Sequence, residues 1–270
     1  RESLPLVTVK KTLWRSAFIE MLWFIRGEPH TKFLKERGVN IWDEWADSEG
    51  NLGPIYGVQW RRWPGKVHVV TYDDYHAAVD DKTHKLHKLI NTGSFIGVSK
   101  PGYDEQYEKS FLIQERVDQL SQMIEMIKAA PTGRRHIVTA WNPGYIREMG
   151  LPPCHRDFQC YARNDGSLEL MMSIRSWDVG LGAPFNIAQY ALLTHLLARA
   201  TGRKARQLIV TYGDAHVYLN HVEPLTKLLE TERPRDVKPQ LHIMTDNVDI
   251  DGYTIDDFSV SDYTSGPFLK

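Results

Sequence analysis

The chain is short of cysteine, of net charge and of long apolar runs, and each shortage removes a class of answer. Two cysteines, Cys154 and Cys160, cannot build a disulfide framework, so a reducing, cytoplasmic setting is expected. Their spacing, with no further Cys pair, does not match a zinc site. Lys and Arg total 33 against 34 Asp and Glu, for a formal net charge of -1 at pH 7. No basic stripe is visible, which argues against an ordinary nucleic-acid binder. No apolar run approaches a membrane span, and no signal peptide is visible. Glycine-rich nucleotide loops, internal repeats, low-complexity tracts and convincing interdomain linkers are also missing.

What remains is a globular composition. The 270 residues are 42% hydrophobic, enough for one sizeable core. Eight Trp and twelve Tyr are many for this length. Aromatic surplus fills cores, and Trp also lines pockets for flat ligands.

Apolar periodicity predicts a helix over 9–27, where Leu13, Ala17, Phe18, Met21, Leu22 and Phe24 recur and Gly27 and Pro29 supply a stop. Residues 41–56 read as a turn-rich loop holding Trp42, Trp45, Gly50, Gly53 and Pro54. A short strand follows at 67–72. Residues 73–112 are polar and poorly periodic, so about 64–112 reads as a surface insertion rather than a domain. A helix is expected at 114–129 and a strand at 136–141. Two strands, 158–163 and 168–174, flank the hairpin signal Asn164-Asp165-Gly166. An apolar helix at 185–201 closes on Gly202, a strand follows at 207–212, and a helix at 217–231. Strand pairs mixed with long helices predict one α+β domain with a mixed sheet.

The chemistry-bearing residues cluster late. Cys154 stands behind Pro152 and Pro153, which stiffen the backbone and remove donors. A thiolate is a strong soft nucleophile, and a nearby cation such as Arg175 favours it. Read alone, a cysteine is more often a small buried hydrophobe, and Cys160 in an apolar strand fits that description. Arg134, Arg135, Arg175 and Ser176 offer guanidinium forks and a hydroxyl suited to phosphate, or else surface salt bridges. Asn186 is either an N-cap or an amide facing the carbonyl and N–H edge of a uracil. His216 and Tyr218 sit at a strand-to-helix junction. Glu20, read alone, is an edge-of-face glutamate reaching solvent.

Together these residues fall in a specific order. Pro5-Leu6-Val7-Thr8, Glu20-Met21-Leu22-Trp23, Ile41-Trp42-Asp43-Glu44-Trp45, Gly53-Pro54-Ile55-Tyr56-Gly57 and Arg134-Arg135-His136 come first. Pro153-Cys154-His155, Arg175-Ser176, Asp178, Leu181-Gly182, Pro184-Phe185-Asn186-Ile187 and Gly213-Asp214-Ala215-His216-Val217-Tyr218 follow. On these segments the chain resembles the thymidylate synthase family, apart from roughly residues 64–112.

The resemblance implies a family α+β fold with its sheet at a homodimer interface, and the methylation of dUMP with 5,10-methylenetetrahydrofolate as co-substrate and no metal. It makes Cys154 the nucleophile at carbon 6 of the ring, which turns carbon 5 into an enolate carbon. Carbon 5 then takes the methylene, the folate leaves by elimination, and hydride transfer gives dTMP and dihydrofolate. Asn186 steadies the ring edge, Glu20 organises proton movement through water, Tyr56 assists removal of the carbon 5 proton, and His155 joins this catalytic group. Arg175 and Ser176 hold the phosphate, with Arg134 and Arg135 donated by the other subunit. Asp178 also faces substrate, and His216 and Tyr218 bind the sugar hydroxyl. Ile41, Trp42, Trp45, Leu151, Asp178, Leu181, Gly182 and Phe185 form the folate wall.

Two rival readings stay open. Ile174 and Gly180 depart from the family's usual Gln and Phe, and Trp177 stands where a small residue is usual. A wetter folate pocket favours a hydroxymethylase, in which water replaces hydride and tetrahydrofolate is released; dCMP is a less favoured substrate than dUMP. A synthase-like scaffold that binds RNA is the non-enzymatic rival.

Overall fold

The computed structural model describes residues 3–99, 110–230 and 237–268. The chain forms two compact units, one of residues 1–60 with 120–270 and one of residues 61–119.

The larger unit opens with α1 (Trp14–Arg26), in which every residue from Ala17 to Ile25 is buried. A helix apolar on all sides belongs in the middle of a core. It ends where Gly27 adopts φ 66° and returns its N–H to the Phe24 carbonyl. It starts later than predicted because residues before it are held by distant partners: the Thr12 N–H donates to the Tyr263 hydroxyl at 2.8 Å. After a single turn, α2 (Lys32–Lys35), the expected turn-rich loop runs to α3 (Tyr56–Arg62). Gly57 lies so close to α1 that an added Cβ would sit 2.0 Å from the Phe24 carbonyl oxygen. Tyr56 itself takes φ 27°, a strained angle for a side chain of that size.

The smaller unit contains β1 (Trp63–Thr71), α4 (Tyr72–Asp80), α5 (His87–Thr92), β2 (Ser94–Ser99) and β3 (Ser110–Val117). Its antiparallel sheet has the order β1-β3-β2. Thr71 caps α4 by accepting from the Asp74 N–H at 3.1 Å. Val70, Ala78 and Ile113 are buried. This stretch holds more regular structure than its polar composition predicts. The helix expected from residue 114 is also corrected: 114–117 belong to β3, which pairs on both sides, and the helix α6 (Gln119–Ala129) begins after them.

Back in the larger unit, β4 (Ile137–Thr139), β5 (His155–Ala162), β6 (Ser167–Asp178) and β7 (Lys204–His216) form one mixed sheet in that order. The first three pair antiparallel, and β6 and β7 pair in parallel across α7 (Gly182–Ala200). The predicted hairpin is present, with Gly166 at φ 82°. Phe158, Cys160, Ala162, Leu168, Leu170, Met172 and Ile174 all point into the core, the period of two that a half-covered sheet requires. Buried α7 packs between this sheet and α1. The helix α8 (Leu219–Glu230) and a pair absent from the sequence reading, β8 (Gln240–Ile243) with β9 (Phe258–Ser261), complete the unit.

Two register details aim the chemistry. In β5, His155 pairs with Ile174 but Asp157 pairs with Ser173, so Arg156 is an extra residue. This bulge lets His155 and Phe158, three positions apart, both face inward. The β6–β7 ladder runs on to Asp178 beside His216, further than the predicted strands, and brings the two strand ends together.

Candidate active site

The sheet's end, α1, α7 and the loop before α3 surround a cavity of about 610 Å³ within the larger unit. Cys154, His155, Glu20, Tyr56, Asn186, Ser176, Asp178, His216 and Tyr218 line it, as do Ile41, Trp42, Trp45, Leu151, Leu181, Gly182 and Phe185. Of the expected site residues, Arg134, Arg135 and Arg175 do not. Arg134 and Arg135 are exposed on the surface.

Arg175 stands behind the nucleophile. Its Nε donates to the Pro153 carbonyl at 3.0 Å and its Nη2 to the Pro152 carbonyl at 2.9 Å. The same Nη2 lies 3.7 Å from Cys154 Sγ, and the guanidinium rests over the Trp141 ring. The prolines cannot donate, so their carbonyls are the polar groups the fork can grip. From the other side, the Cys154 N–H donates to the Tyr56 hydroxyl at 2.8 Å. The loop carrying the thiol is thus clamped on two sides, with Cys154 only partly covered. Cys160 is sealed in the core, and burial pushes its thiol up to about 12.

Glu20 corrects the reading of that residue taken alone. It is 7% exposed. Trp42 Nε1 donates to its Oε1 at 2.6 Å, and Gln189 Nε2 donates to its Oε2 at 2.7 Å. Burial raises its carboxyl from 4.5 to about 7, and the two hydrogen bonds oppose that rise without cancelling it. Burial likewise drives His155 down to about 4, opposed by its hydrogen bond with Asn186, so this imidazole is neutral at physiological pH. Tyr56, stacked on Phe24 at 4.6 Å, is pushed well above the usual phenol range by burial and then by Cys154.

Asn186 is not an N-cap. Leu181 holds that position, and Asn186 lies in the second turn of α7 with its Nδ2 donating to Gln189 Oε1 at 3.3 Å. Asp178 accepts from the Gly180 and Leu181 N–H groups at 2.9 and 3.3 Å, fixing the turn into α7. At the end of β7, His216 meets Tyr218 edge-to-face at 5.2 Å.

Sequence reasoning missed Lys10, His221 and Gln189. Lys10 lines the cavity and donates to the Gly180 carbonyl at 2.5 Å. Burial lowers its ammonium, and Asp178 opposes the shift. His221 is buried in the same wall. Gln189 carried a readable signal: a lone amide inside an apolar helix, three residues after Asn186 and so on the same face.

The thymidylate synthase family model matches residues 1–270. The chain belongs to the thymidylate synthase family. Members carry out folate-dependent one-carbon transfer to dUMP with methylenetetrahydrofolate as co-substrate, and this chain is an enzyme of that type. Among the described residues no helix is long and apolar enough to cross a membrane.

Glu20 yields a prediction about this synthase-family fold. Its folded-state pKa lies above its unfolded value, so its contribution to stability is fully present below about 4.5 and is lost as pH rises through about 7. Relative to Glu20→Gln, the wild type should lose about 3 kcal/mol across that window. Urea unfolding of both proteins across the same window measures it. A difference that does not change with pH contradicts the buried-acid reading.

Proposed function

We propose that the chain methylates dUMP to dTMP, releasing dihydrofolate, in a cytoplasmic homodimer. The observation that carries this reading is a partly exposed thiol, clamped by Arg175 and Tyr56, in one cavity with a buried carboxyl and an amide. Cys154 Sγ forms a bond to carbon 6 of the uracil and pushes the ring electrons toward carbon 5 and the 4-oxygen. Asn186 and ordered water hold that oxygen as charge develops. The reduced folate supplies the methylene carbon and the hydride. Glu20, whose carboxyl holds and releases a proton near neutral pH, serves the ring oxygen through water. Tyr56 assists removal of the carbon 5 proton as the folate nitrogen leaves by elimination, and hydride transfer to the resulting exocyclic methylene then lets the sulfur leave. Neutral His155 supports the Asn186 amide.

Binding roles follow the same reading. Ser176 and Arg175 take the phosphate, joined by Arg134 and Arg135 of the partner subunit. Asp178 faces the nucleotide, and His216 and Tyr218 take the sugar hydroxyl. The aromatic wall of Ile41, Trp42, Trp45, Leu151, Leu181, Gly182 and Phe185, with Asp178, receives the flat folate rings. The exposed position of Arg134 and Arg135 outside the cavity supports their donation across an interface.

One observation favours the hydroxymethylase. Gly180, next to the lining residues Asp178 and His221, carries no side chain, and an added Cβ would meet His221 Nδ1 at 3.1 Å and Asp178 Oδ1 at 3.3 Å. With Lys10 beside it, this wall is polar. Ile174, another departure, is buried in the core, and neither it nor Trp177 lines the cavity. Methylation therefore stays ahead.

Mass analysis of the product from dUMP and methylenetetrahydrofolate decides between the two. A methyl product with dihydrofolate is expected, with turnover at least about 10³-fold lower for Cys154→Ala. A hydroxymethyl product with tetrahydrofolate selects the rival. Normal function of Cys154→Ala in cells supports the RNA-binding scaffold. Light scattering tests the dimer: twice the chain mass of 31.1 kDa is expected, and a single chain mass contradicts it.

A further inference from the structure

Four side chains join the cavity to the buried carboxyl in a line: His155, Asn186, Gln189 and Glu20, with Trp42 closing the far end. Their donor and acceptor roles are not independent. An indole N–H only donates, so the Glu20 oxygen facing Trp42 must accept. An ionised carboxylate has no donor, so its other oxygen must also accept, and Gln189 must present its NH₂. That leaves Gln189 Oε1 toward Asn186, which must then present its own NH₂. Asn186 Oδ1 is left toward His155. His155 Nδ1 is sealed without a partner, so its Nε2–H is the donor available to that oxygen. Every hydrogen bond in the line points toward Glu20.

We propose that Gln189 is a positioning residue that transmits the state of Glu20 to Asn186 and so sets which way the Asn186 amide faces a pyrimidine. The proposal rests on the uracil reading above. In the observed orientation Asn186 keeps one N–H and one oxygen lone pair for a ligand. That pair complements a ring carbonyl beside a ring N–H, the edge of uracil. Cytosine presents an amino group beside a bare nitrogen, and a donor would meet a donor.

The line has a second self-consistent arrangement. When Glu20 binds a proton, Trp42 still occupies one oxygen, so the O–H lies on the oxygen facing Gln189. Gln189 then turns its Oε1 to accept, and its NH₂ turns Asn186 over. His155 moves its proton to Nδ1 and accepts through Nε2. Glu20→Gln reaches this arrangement permanently, because Trp42 takes the amide oxygen and leaves the NH₂ toward Gln189.

Burial places the proton exchange of Glu20 at about 7. Three buried neighbours hold their state there. Tyr56 on α3 and Tyr190 on α7 feel its charge, and burial pushes both phenols up. His155 at the head of β5 is held neutral. Cys154 faces Tyr56, while Lys10 and Asp178 stand in the cavity wall.

The test is calorimetric binding of dUMP and dCMP to the full chain at about pH 6 and about pH 8. The ratio of the two affinities cancels titration of the phosphate they share. Wild type should prefer dUMP, more strongly at the higher pH. Gln189→Met, of similar volume and without polar atoms, should narrow that preference at least about tenfold and remove its pH dependence. Glu20→Gln approaches the line from its other end and should also narrow the preference at both pH values. A Gln189→Met protein that keeps the wild-type preference and pH slope overturns the proposal, as does a Glu20→Gln protein that keeps them. If wild type shows no preference for dUMP, the uracil reading fails and the proposal with it.

Discussion

A carboxyl group inside an aromatic shell is the constraint around which this molecule is arranged. Glu20 lies on α1, a helix otherwise buried through apolar contact, and charge there is costly. Two neutral donors, Trp42 from the loop and Gln189 from α7, make its burial tolerable. Those hydrogen bonds tie together three elements distant in sequence. The low-dielectric surroundings that pack Trp23, Phe24, Trp42 and Tyr56 also move the acid's proton affinity into the neutral range. Packing and proton chemistry are therefore one property of the larger unit.

The nucleophile is presented by a different device. Prolines strip the loop of donors, Arg175 binds the carbonyls they leave, and Tyr56 takes the N–H of Cys154. The guanidinium near Sγ is thus structural before it is anything else. The bulge at Arg156 and the long β6–β7 ladder then put His155 inward and Asp178 beside His216. Backbone register, more than side-chain choice, converts a sheet edge into a cavity wall.

Much of this was legible in the amino-acid order. The hairpin at Asn164-Asp165-Gly166 announced itself because a left-handed glycine is needed there. The apolar stretch of α7 and the Pro-Pro-Cys segment were also plain. Glu20 was not, since an isolated glutamate usually reaches water, and only the distant Trp42 and Gln189 change that. Residues 114–117 look helical in the sequence because their strand character depends on pairing with β1 and, at Gln114, with β2. The smaller unit was under-read because its polar residues mask alternation in short strands. Gln189 shows in the sequence only as an amide three residues after Asn186 in an apolar helix, and what it does there depends on its distant partner Glu20.

Burial of Glu20 sets its proton exchange near neutrality inside the folded protein. Infrared spectroscopy of carboxyl-labelled protein, with Glu20→Gln subtracted, follows that one group as pH is varied. A protonated-carboxyl band that disappears with a midpoint near 7 is expected. A midpoint in the ordinary carboxylate range, near 4.5, would contradict it.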